Sequence, residues 1–271
     1  MSVLIVIPAR YDSTRFPGKP LAPLKGKPLI QHVYENSLGA VLAGEVVVAT
    51  DSETIFERVL SFGGKSVMTS SDHTSGTDRV AEVARSMDYD IIVNVQGDEP
   101  LIRPQMIDDV ISLLSDSRAD IGTLVKSIEE PEEIMDPNVV KAVFGENGFA
   151  LYFSRAPIPY HRDSGARHEL MPGQGFMEAG SSRMNVRPSQ NPLPARSRFY
   201  KHIGIYSYKR EALLRLTEMK PTALEKIEKL EQLRALEHGF AIKVKETAFE
   251  IIGVDTPQDL ERAETWLSLS S

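Results

Sequence analysis

Short apolar runs rich in β-branched residues alternate with helix-like segments along this chain. The runs span residues 3–7, 45–50, 91–96 and 202–208. The helix-like segments between the first three runs span residues 28–38, 52–62 and 78–87. Apolar runs of this kind are typical of strands that are buried on both faces of a parallel sheet. Because strands that alternate with helices form right-handed β-α-β units, the sequence predicts a doubly wound α/β fold.

The second half of the chain is less regular. Residues 139–144 and 150–153 flank Glu146-Asn147-Gly148, a pattern that predicts a β-hairpin. Residues 161–200 show no sustained periodicity and carry six Arg against three acidic residues. Long irregular stretches in compact domains are usually binding loops or disordered segments. We therefore expect one domain over residues 1–271, with a flexible insertion at about 161–200.

Two helix starts can be recognised in the C-terminal part. Thr222 followed by Glu225 fits a capping box, and the helix that it opens is expected to run to about residue 238. Thr256 followed by Pro257 fits an N-cap with proline at the first helical position. This last helix is expected to end near residue 267.

Composition excludes several classes of protein. The chain has no cysteine, which excludes disulfides, thiolate metal sites and a cysteine nucleophile. Its net charge of −7 argues against nucleic acid and membrane surfaces as partners. The first seven residues lack the basic start and cleavage region of an export signal, and their apolar run is too short to span a bilayer. We therefore expect a cytoplasmic protein.

A basic loop directly follows the first predicted strand, at residues 8–20 (PARYDSTRFPGKP). Its cations are Arg10, Arg15 and Lys19, and its small residues are Ser13, Thr14 and Gly18. In open α/β sheets ligands bind beyond the carboxyl ends of the strands, where this loop is expected to lie. Cations mixed with small residues suit a triphosphate, although a merely solvated basic loop would have the same composition. The spacing does not fit a Walker loop.

Carboxylates stand at two further predicted strand ends. Asp98 and Glu99 follow the run at 91–96, and Asp255 lies between an apolar run and a helix start. Each alone could be a turn residue beside a helix. If the two ends face each other, Asp98 and Asp255 could share one Mg²⁺, which is commonly held by one or two carboxylates together with phosphate oxygens.

A polar loop at residues 71–79 leads into a predicted helix. It contains Ser75 and Arg79. Its hydroxyl groups could contact the edge of a base or simply cap the helix. His73, in the same loop, is by itself no evidence for a general base.

Taken together, these elements resemble the bacterial 3-deoxy-manno-octulosonate cytidylyltransferases, the CMP-Kdo synthetases. The matching stretches follow the order of the family and are residues 7–21, 49–51, 75–79, 94–100, 150–155, 202–206, 230–234 and 253–257. They extend over nearly the whole chain.

The resemblance implies a nucleotidyltransferase-type, Rossmann-like α/β domain. Its sheet would be mixed and mainly parallel, flanked by helices, with the hairpin as a small β extension. The implied activity converts CTP and 3-deoxy-D-manno-octulosonate (Kdo) to CMP-Kdo and pyrophosphate with Mg²⁺, for lipopolysaccharide biosynthesis. The implied assembly is a homodimer.

The resemblance also implies roles for particular residues. The nucleotide site would consist of Arg10, Ser13, Arg15, Lys19, Ser75, Arg79 and Gln96. Asp98 and Asp255 would bind the metal and act in catalysis together with Arg10 and Lys19. The Kdo pocket would be lined by Gln96, Arg155, His202, Tyr206, Glu225 and Gln232. Arg155 would be a candidate for the sugar carboxylate, because a guanidinium group can bind it through two hydrogen bonds.

One departure from the family pattern and three rival readings bear on these expectations. The connection from Arg155 to His202 is much longer here than is usual in the family.

A cytidylyltransferase for sialic acid, 8-amino-Kdo or a polyol phosphate would share the phosphate loop. A non-catalytic relative would be expected to lack the metal carboxylates or the loop cations, all of which are present. A dinucleotide-dependent oxidoreductase is disfavoured because no G-x-G-x-x-G follows the first strand.

Overall fold

The structure is a computed structural model that describes residues 1–12, 15–160 and 199–269. Its strands are β1 (Val3–Ala9), β2 (Pro23–Leu24), β3 (Lys27–Pro28), β4 (Glu45–Thr50), β5 (Ser66–Met68), β6 (Ile91–Asn94), β7 (Ile121–Ser127), β8 (Lys141–Phe144), β9 (Ala150–Ser154), β10 (Tyr200–Lys209) and β11 (Ile242–Glu246). Its helices are α1 (Leu29–Leu38), α2 (Glu53–Ser61), α3 (Gly76–Ser86), α4 (Pro104–Ser112), α5 (Pro131–Met135), α6 (Arg210–Glu218), α7 (Ala223–Glu228), α8 (Gln232–Glu237) and α9 (Pro257–Leu269). None of the described helices is long and apolar enough to cross a membrane.

Seven strands form the main run of the sheet, in the order β11-β7-β10-β6-β1-β4-β5. β1 pairs in parallel with β4 and β6, β4 with β5, and β11 with β7. Among the described strands of this run, only β10 is antiparallel to its neighbours, β6 and β7. The sheet is therefore mixed and mainly parallel, as the resemblance implied.

Both faces of the sheet are covered, which explains why the strands are apolar without alternation. In β1, Ile5 and Ile7 pack on one face, with α1, α4 and α9. Leu4 and Val6 pack on the other face, with α3, α6 and α8. All four side chains are fully buried. Because β1 and β6 are parallel neighbours, their carboxyl ends lie at the same edge of the sheet. Loops at such an edge commonly form ligand sites in open α/β sheets.

The predicted hairpin is confirmed. β8 and β9 pair antiparallel, and the turn between them contains Gly148 at a φ of 75°. This left-handed conformation favours glycine, which is why the Asn-Gly pattern marked the turn. β8 also pairs with β10, so the hairpin extends the main sheet. The insertion predicted at 161–200 lies almost entirely outside the described residues.

The single helix predicted from Thr222 to about residue 238 is wrong. It begins as expected, and the Thr222 backbone N–H donates to Glu225 Oε2 at 3.1 Å. However, Lys229 adopts a left-handed conformation with a φ of 55°, which ends α7, and α8 begins afresh at Gln232. After the break, Leu230 and the first four residues of α8 are buried. A start signal in the sequence therefore did not determine where the helix ends.

Candidate active site

The basic loop after β1 folds back on itself and presents Lys19 to the edge of the sheet. The Gly18 N–H donates to the Tyr11 carbonyl at 2.9 Å, and Gly18 has a φ of 70°. A Cβ at this glycine would meet the Tyr11 ring at 3.4 Å. A short 3-10 helix then spans Lys19–Leu21, with Pro20 buried. The turn at Gly18 and the short helix together hold the backbone of Lys19 in place.

The Lys19 ammonium group lies between the two predicted metal carboxylates. Its Nζ is 2.6 Å from Asp98 Oδ2 and 3.1 Å from Asp255 Oδ1. The second oxygen of Asp255 accepts from the Arg15 guanidinium at 3.0 Å. Asp98 and Asp255 are 157 positions apart in the sequence, yet their oxygens converge on a single cation.

Backbone and side-chain contacts hold this pair of carboxylates in place. The Val254 N–H donates to the Asp98 carbonyl at 2.8 Å, which ties the two segments together. The start of α9 is closed by Asp259, whose Oδ2 accepts from the backbone of Asp255 and from Thr256. Two carboxylates that converge on one point, with phosphate oxygens to complete the shell, fit what Mg²⁺ requires. Among the described residues there is no group of three or more potential His, Cys, Asp or Glu ligands.

A cleft of about 640 Å³ opens beside the carboxylates. The predicted nucleotide and metal residues that line it are Arg10, Arg15, Lys19, Ser75, Arg79, Gln96, Asp98 and Asp255. Ser13 lies outside the described residues. The structure thus brings together every described member of that predicted set.

Ser75 and Arg79 have structural partners in addition to their place in the cleft. Ser75 is the N-cap of α3, and its Oγ accepts from the Asp78 N–H at 3.1 Å. Arg79 is only 3% exposed. It pairs with Asp51 at 2.7 Å and also donates to Thr69. Arg79 therefore ties the start of α3 to the ends of β4 and β5, and little of its side chain faces the cleft.

Two of the predicted sugar residues, His202 and Tyr206, lie on β10, and a third, Gln232, begins α8. The His202 ring packs against Tyr206 at 5.3 Å between centroids, and its Nε2 is 3.0 Å from Thr123 Oγ1. Burial lowers the pKa of His202 to about 3 and raises the pKa of Tyr206. Tyr206 and Gln232 border a cavity of about 20 Å³, too small for a sugar acid without side-chain movement.

Arg155 and Glu225 are occupied by partners within the fold. The Arg155 guanidinium donates to the carbonyls of Glu228 at 2.7 Å and of Pro137 at 2.8 Å. Glu225 forms a two-point ion pair with Arg234, at 2.5 and 2.8 Å. Neither residue lines the cavities described here. Their sugar contacts remain predictions.

The geometry of this edge agrees with the comparisons to known proteins. The family described as "Cytidylyltransferase" matches residues 4–246. This chain is a cytidylyltransferase-family member. The 3-deoxy-manno-octulosonate cytidylyltransferase of Geobacter metallireducens is 50% identical over 99% of this chain and 98% of its own length. That of Thermodesulfovibrio yellowstonii is 47% identical, with 100% of both chains covered.

A solved structure supports the same assignment for the fold. The CMP:2-keto-3-deoxy-manno-octonic acid synthetase complexed with CTP is 38% identical, with a TM-score of 0.85 and 100% of both chains covered. The nucleotidyltransferase-type fold implied by the sequence is thus confirmed for this cytidylyltransferase-family chain.

Two acidic residues close to the predicted site residues of this cytidylyltransferase-family chain were not among the residues predicted from the sequence. Glu99 is buried, and its Oε2 has no hydrogen-bond partner among the described residues. Burial together with the Asp98 charge raises the pKa of Glu99 to about 8. Gly204 lies directly against it, since an added Cβ would be 3.3 Å from Glu99 Oε1. Glu231 accepts from Thr77 at 2.6 Å, and burial raises its pKa. The sequence did offer a signal for both residues, because Glu99 follows Asp98 and Glu231 precedes Gln232 within two stretches that match the family.

A second cleft, of about 670 Å³, lies on the far side of Glu99. Lys201 crosses it and pairs with Glu133 at 2.7 Å and Glu250 at 2.8 Å. The cleft reaches Gly253, two residues before Asp255. Glu99 and Gly253, which are close in sequence to the two carboxylates, therefore line a second cleft at the edge of the sheet.

Proposed function

We propose that this chain transfers the CMP group of CTP to the sugar acid Kdo, with release of pyrophosphate. The observation that carries the proposal is the convergence of Asp98 and Asp255 on the Lys19 ammonium group, in a cleft lined by further loop cations. A site of this kind suits phosphoryl-group transfer, in which positioning and charge stabilisation provide most of the catalysis.

The nucleotide is proposed to occupy the 640 Å³ cleft. Arg10, Arg15 and Lys19 would bind its phosphates, since their charges oppose the triphosphate at close range. Ser75 and Gln96 would lie nearer the ribose and the cytosine. Arg79 would act mainly by fixing the start of α3, because its guanidinium is bound to Asp51 and Thr69.

Asp98 and Asp255 are proposed to hold Mg²⁺. When bound, the ion would lower the pKa of the attacking hydroxyl group and oppose the charge of the phosphates. Arg10 and Lys19 would stabilise the negative charge that grows on the departing pyrophosphate. The anomeric hydroxyl oxygen of Kdo forms the new bond to the α-phosphorus as the bond to pyrophosphate breaks, and the hydroxyl proton passes to solvent water. No covalent intermediate with the protein is needed.

The sugar acid is proposed to approach from the β10 side, toward His202, Tyr206 and Gln232. The Gln96 amide bridges the two sites, because it lines the nucleotide cleft and donates to the Gly204 carbonyl at 3.4 Å. With its pKa near 3, His202 would be a neutral hydrogen-bonding group and not a cation for the sugar carboxylate. Arg155 could serve that carboxylate only by giving up carbonyl partners.

Pyrophosphate release with CTP and Mg²⁺ tests the proposal. Kdo, 8-amino-Kdo and N-acetylneuraminic acid are offered in parallel, with omission of Mg²⁺ as a control. We expect release with Kdo that depends on the metal. Release only with another acid would retain the nucleotide assignment and overturn the sugar assignment. A folded protein that releases no pyrophosphate with any of the three would overturn the catalytic proposal.

The proposal extends to the setting of the reaction. A CTP-consuming enzyme works where CTP is made, so a cytoplasmic location accompanies the proposed activity. We also propose a homodimer, in line with the resemblance described above.

A further inference from the structure

Lys19 occupies the position between the carboxylates that the proposed metal ion would need. Its Nζ is within 3.1 Å of one oxygen from each of Asp98 and Asp255. Arg15 takes the other oxygen of Asp255 at 3.0 Å. Two carboxylates and two cations therefore form a locally neutral cluster.

An ammonium group and a divalent ion cannot occupy the same point between two carboxylates. If Asp98 Oδ2 and Asp255 Oδ1 are to hold the ion, they would have to give up their contacts with Lys19, whose ammonium group would then move away. The Lys19 side chain is only 13% exposed, which limits screening of its ion pairs by solvent. Its long aliphatic stem allows the ammonium group to move while the backbone, fixed by buried Pro20, stays in place.

We propose that Lys19 competes with the metal ion in the free protein and is drawn away by the triphosphate of the arriving nucleotide. The carboxylates then become available, so the metal binds with the nucleotide or after it. By thermodynamic linkage, nucleotide and metal would each strengthen the binding of the other. This inference rests on the proposed function, because it takes Asp98 and Asp255 as the metal ligands and Lys19 as a phosphate ligand.

Binding of Mn²⁺ to the nucleotide-free protein tests the competition, with free Mn²⁺ measured by electron paramagnetic resonance. Lys19→Met removes the competitor and should bind Mn²⁺ at least about tenfold more tightly than the unchanged protein. The matched control is Arg10→Met. Arg10 is an exposed cation that lines the same cleft, and among the described residues it has no ion pair with either carboxylate. Its loss should change the Mn²⁺ affinity by less than about threefold.

A double variant separates this inference from the proposed metal site. In Lys19→Met with Asp98→Asn, the gain in Mn²⁺ affinity should disappear. If the unchanged protein and Lys19→Met bound Mn²⁺ equally tightly while Asp98→Asn bound it more weakly, the competition would be overturned. The proposed metal site would stand. Affinities that do not respond to Asp98→Asn in any background would overturn both.

A second variant guards against a folding artefact. Lys19→Gln keeps a polar side chain without the charge and should show the same gain in Mn²⁺ affinity. Thermal melting would confirm that each variant is folded.

The coupling between nucleotide and metal can be measured separately. In the unchanged protein, a non-hydrolysable CTP analogue should tighten Mn²⁺ binding beyond the chelation measured for the analogue alone. That coupling should be smaller in Lys19→Met. If the analogue tightened Mn²⁺ binding equally in Lys19→Met, the proposed role of Lys19 in this coupling would be overturned.

Discussion

At the scale of single residues, His202 shows how surroundings determine chemistry. Phe153 packs edge-on against its ring at 5.0 Å, Tyr206 lies at 5.3 Å, and Thr123 supplies a hydroxyl group. Burial lowers the pKa of the imidazole to about 3, so the ring is neutral near pH 7. A histidine seen in the sequence as a sugar-site residue is thus a neutral group packed among aromatic rings.

The partly buried His202 should make stability depend on pH. Its folded-state pKa is about 3, below the ordinary value of 6.5, so the unfolded chain takes up the proton first. The free energy of unfolding should therefore fall as pH drops from 6.5 toward 3, by up to about 1.4 kcal/mol per pH unit. His202→Gln should reduce this slope in denaturant titrations at pH 7, 6 and 5. The matched control, exposed His238→Gln, should leave it unchanged, and equal slopes in both variants would contradict the prediction.

The proposed metal ligand Asp98 offers the most direct test of residue roles. Asp98→Asn keeps the shape of the side chain but removes its charge, so pyrophosphate release should fall by at least about a hundredfold. The side chain of Asp98 is 32% exposed, and the fold should survive, as judged by thermal melting. Asp88→Asn, at an exposed position, provides a matched loss of charge and should retain activity. Near-normal release by Asp98→Asn would refute its proposed metal role.

At the scale of elements, helix starts serve both stability and binding. Ser52 caps α2, and Ser75 caps α3 by accepting from the third residue of its helix. The two helices differ in position, because the start of α3 borders the nucleotide cleft and Ser52 is not among the residues lining it. This pair can separate the capping role of Ser75 from its proposed nucleotide contact.

Ser52→Ala and Ser75→Ala should each lower the free energy of unfolding by about 1 kcal/mol, because each leaves a helix N–H without its acceptor. Only Ser75→Ala should also raise the KM for CTP. Chemical denaturation and pyrophosphate-release kinetics on both variants make the comparison. An unchanged KM in Ser75→Ala would show that Ser75 acts as a cap alone.

At the scale of the whole molecule, strand topology decides what meets at the active edge. β10 runs against its neighbours, which places its N-terminal end beside the carboxyl ends of β6 and β7. Gly204 of β10 consequently lies against Gln96 and Glu99. The proposed sugar residues reach the nucleotide cleft through this one reversed strand.

The proposed homodimer can be tested at the hairpin. Among the described residues β9 pairs only with β8, and Leu151 on β9 is 66% exposed. An unpaired strand edge with an exposed apolar side chain favours association with another chain. We expect sedimentation equilibrium to give twice the single-chain mass of 30.1 kDa. Leu151→Asp should shift this toward one chain, whereas a surface control, Leu38→Asp, should not. A single-chain mass for the unchanged protein would refute the dimer.

The sequence by itself determined the fold class, the first strands and helices, the hairpin and the position of the basic loop after β1. These follow from local patterns: apolar runs, capping residues and an Asn-Gly turn each act over a few residues. It also placed Asp98 after a strand, which the structure confirms. The strand end predicted before Asp255 is wrong, because residues 247–256 between β11 and α9 form no strand.

Only the tertiary structure decided what those residues contact. The break at Lys229, the pairing of Glu225 with Arg234 and the binding of Arg155 to backbone carbonyls depend on segments distant in sequence. The position of Lys19 between Asp98 and Asp255 depends on three separate loops meeting at one edge. The strength of a charge interaction depends on the distance between the groups, and burial depends on which segments pack around them. A single sequence gives the identity of the groups but not these distances or neighbours.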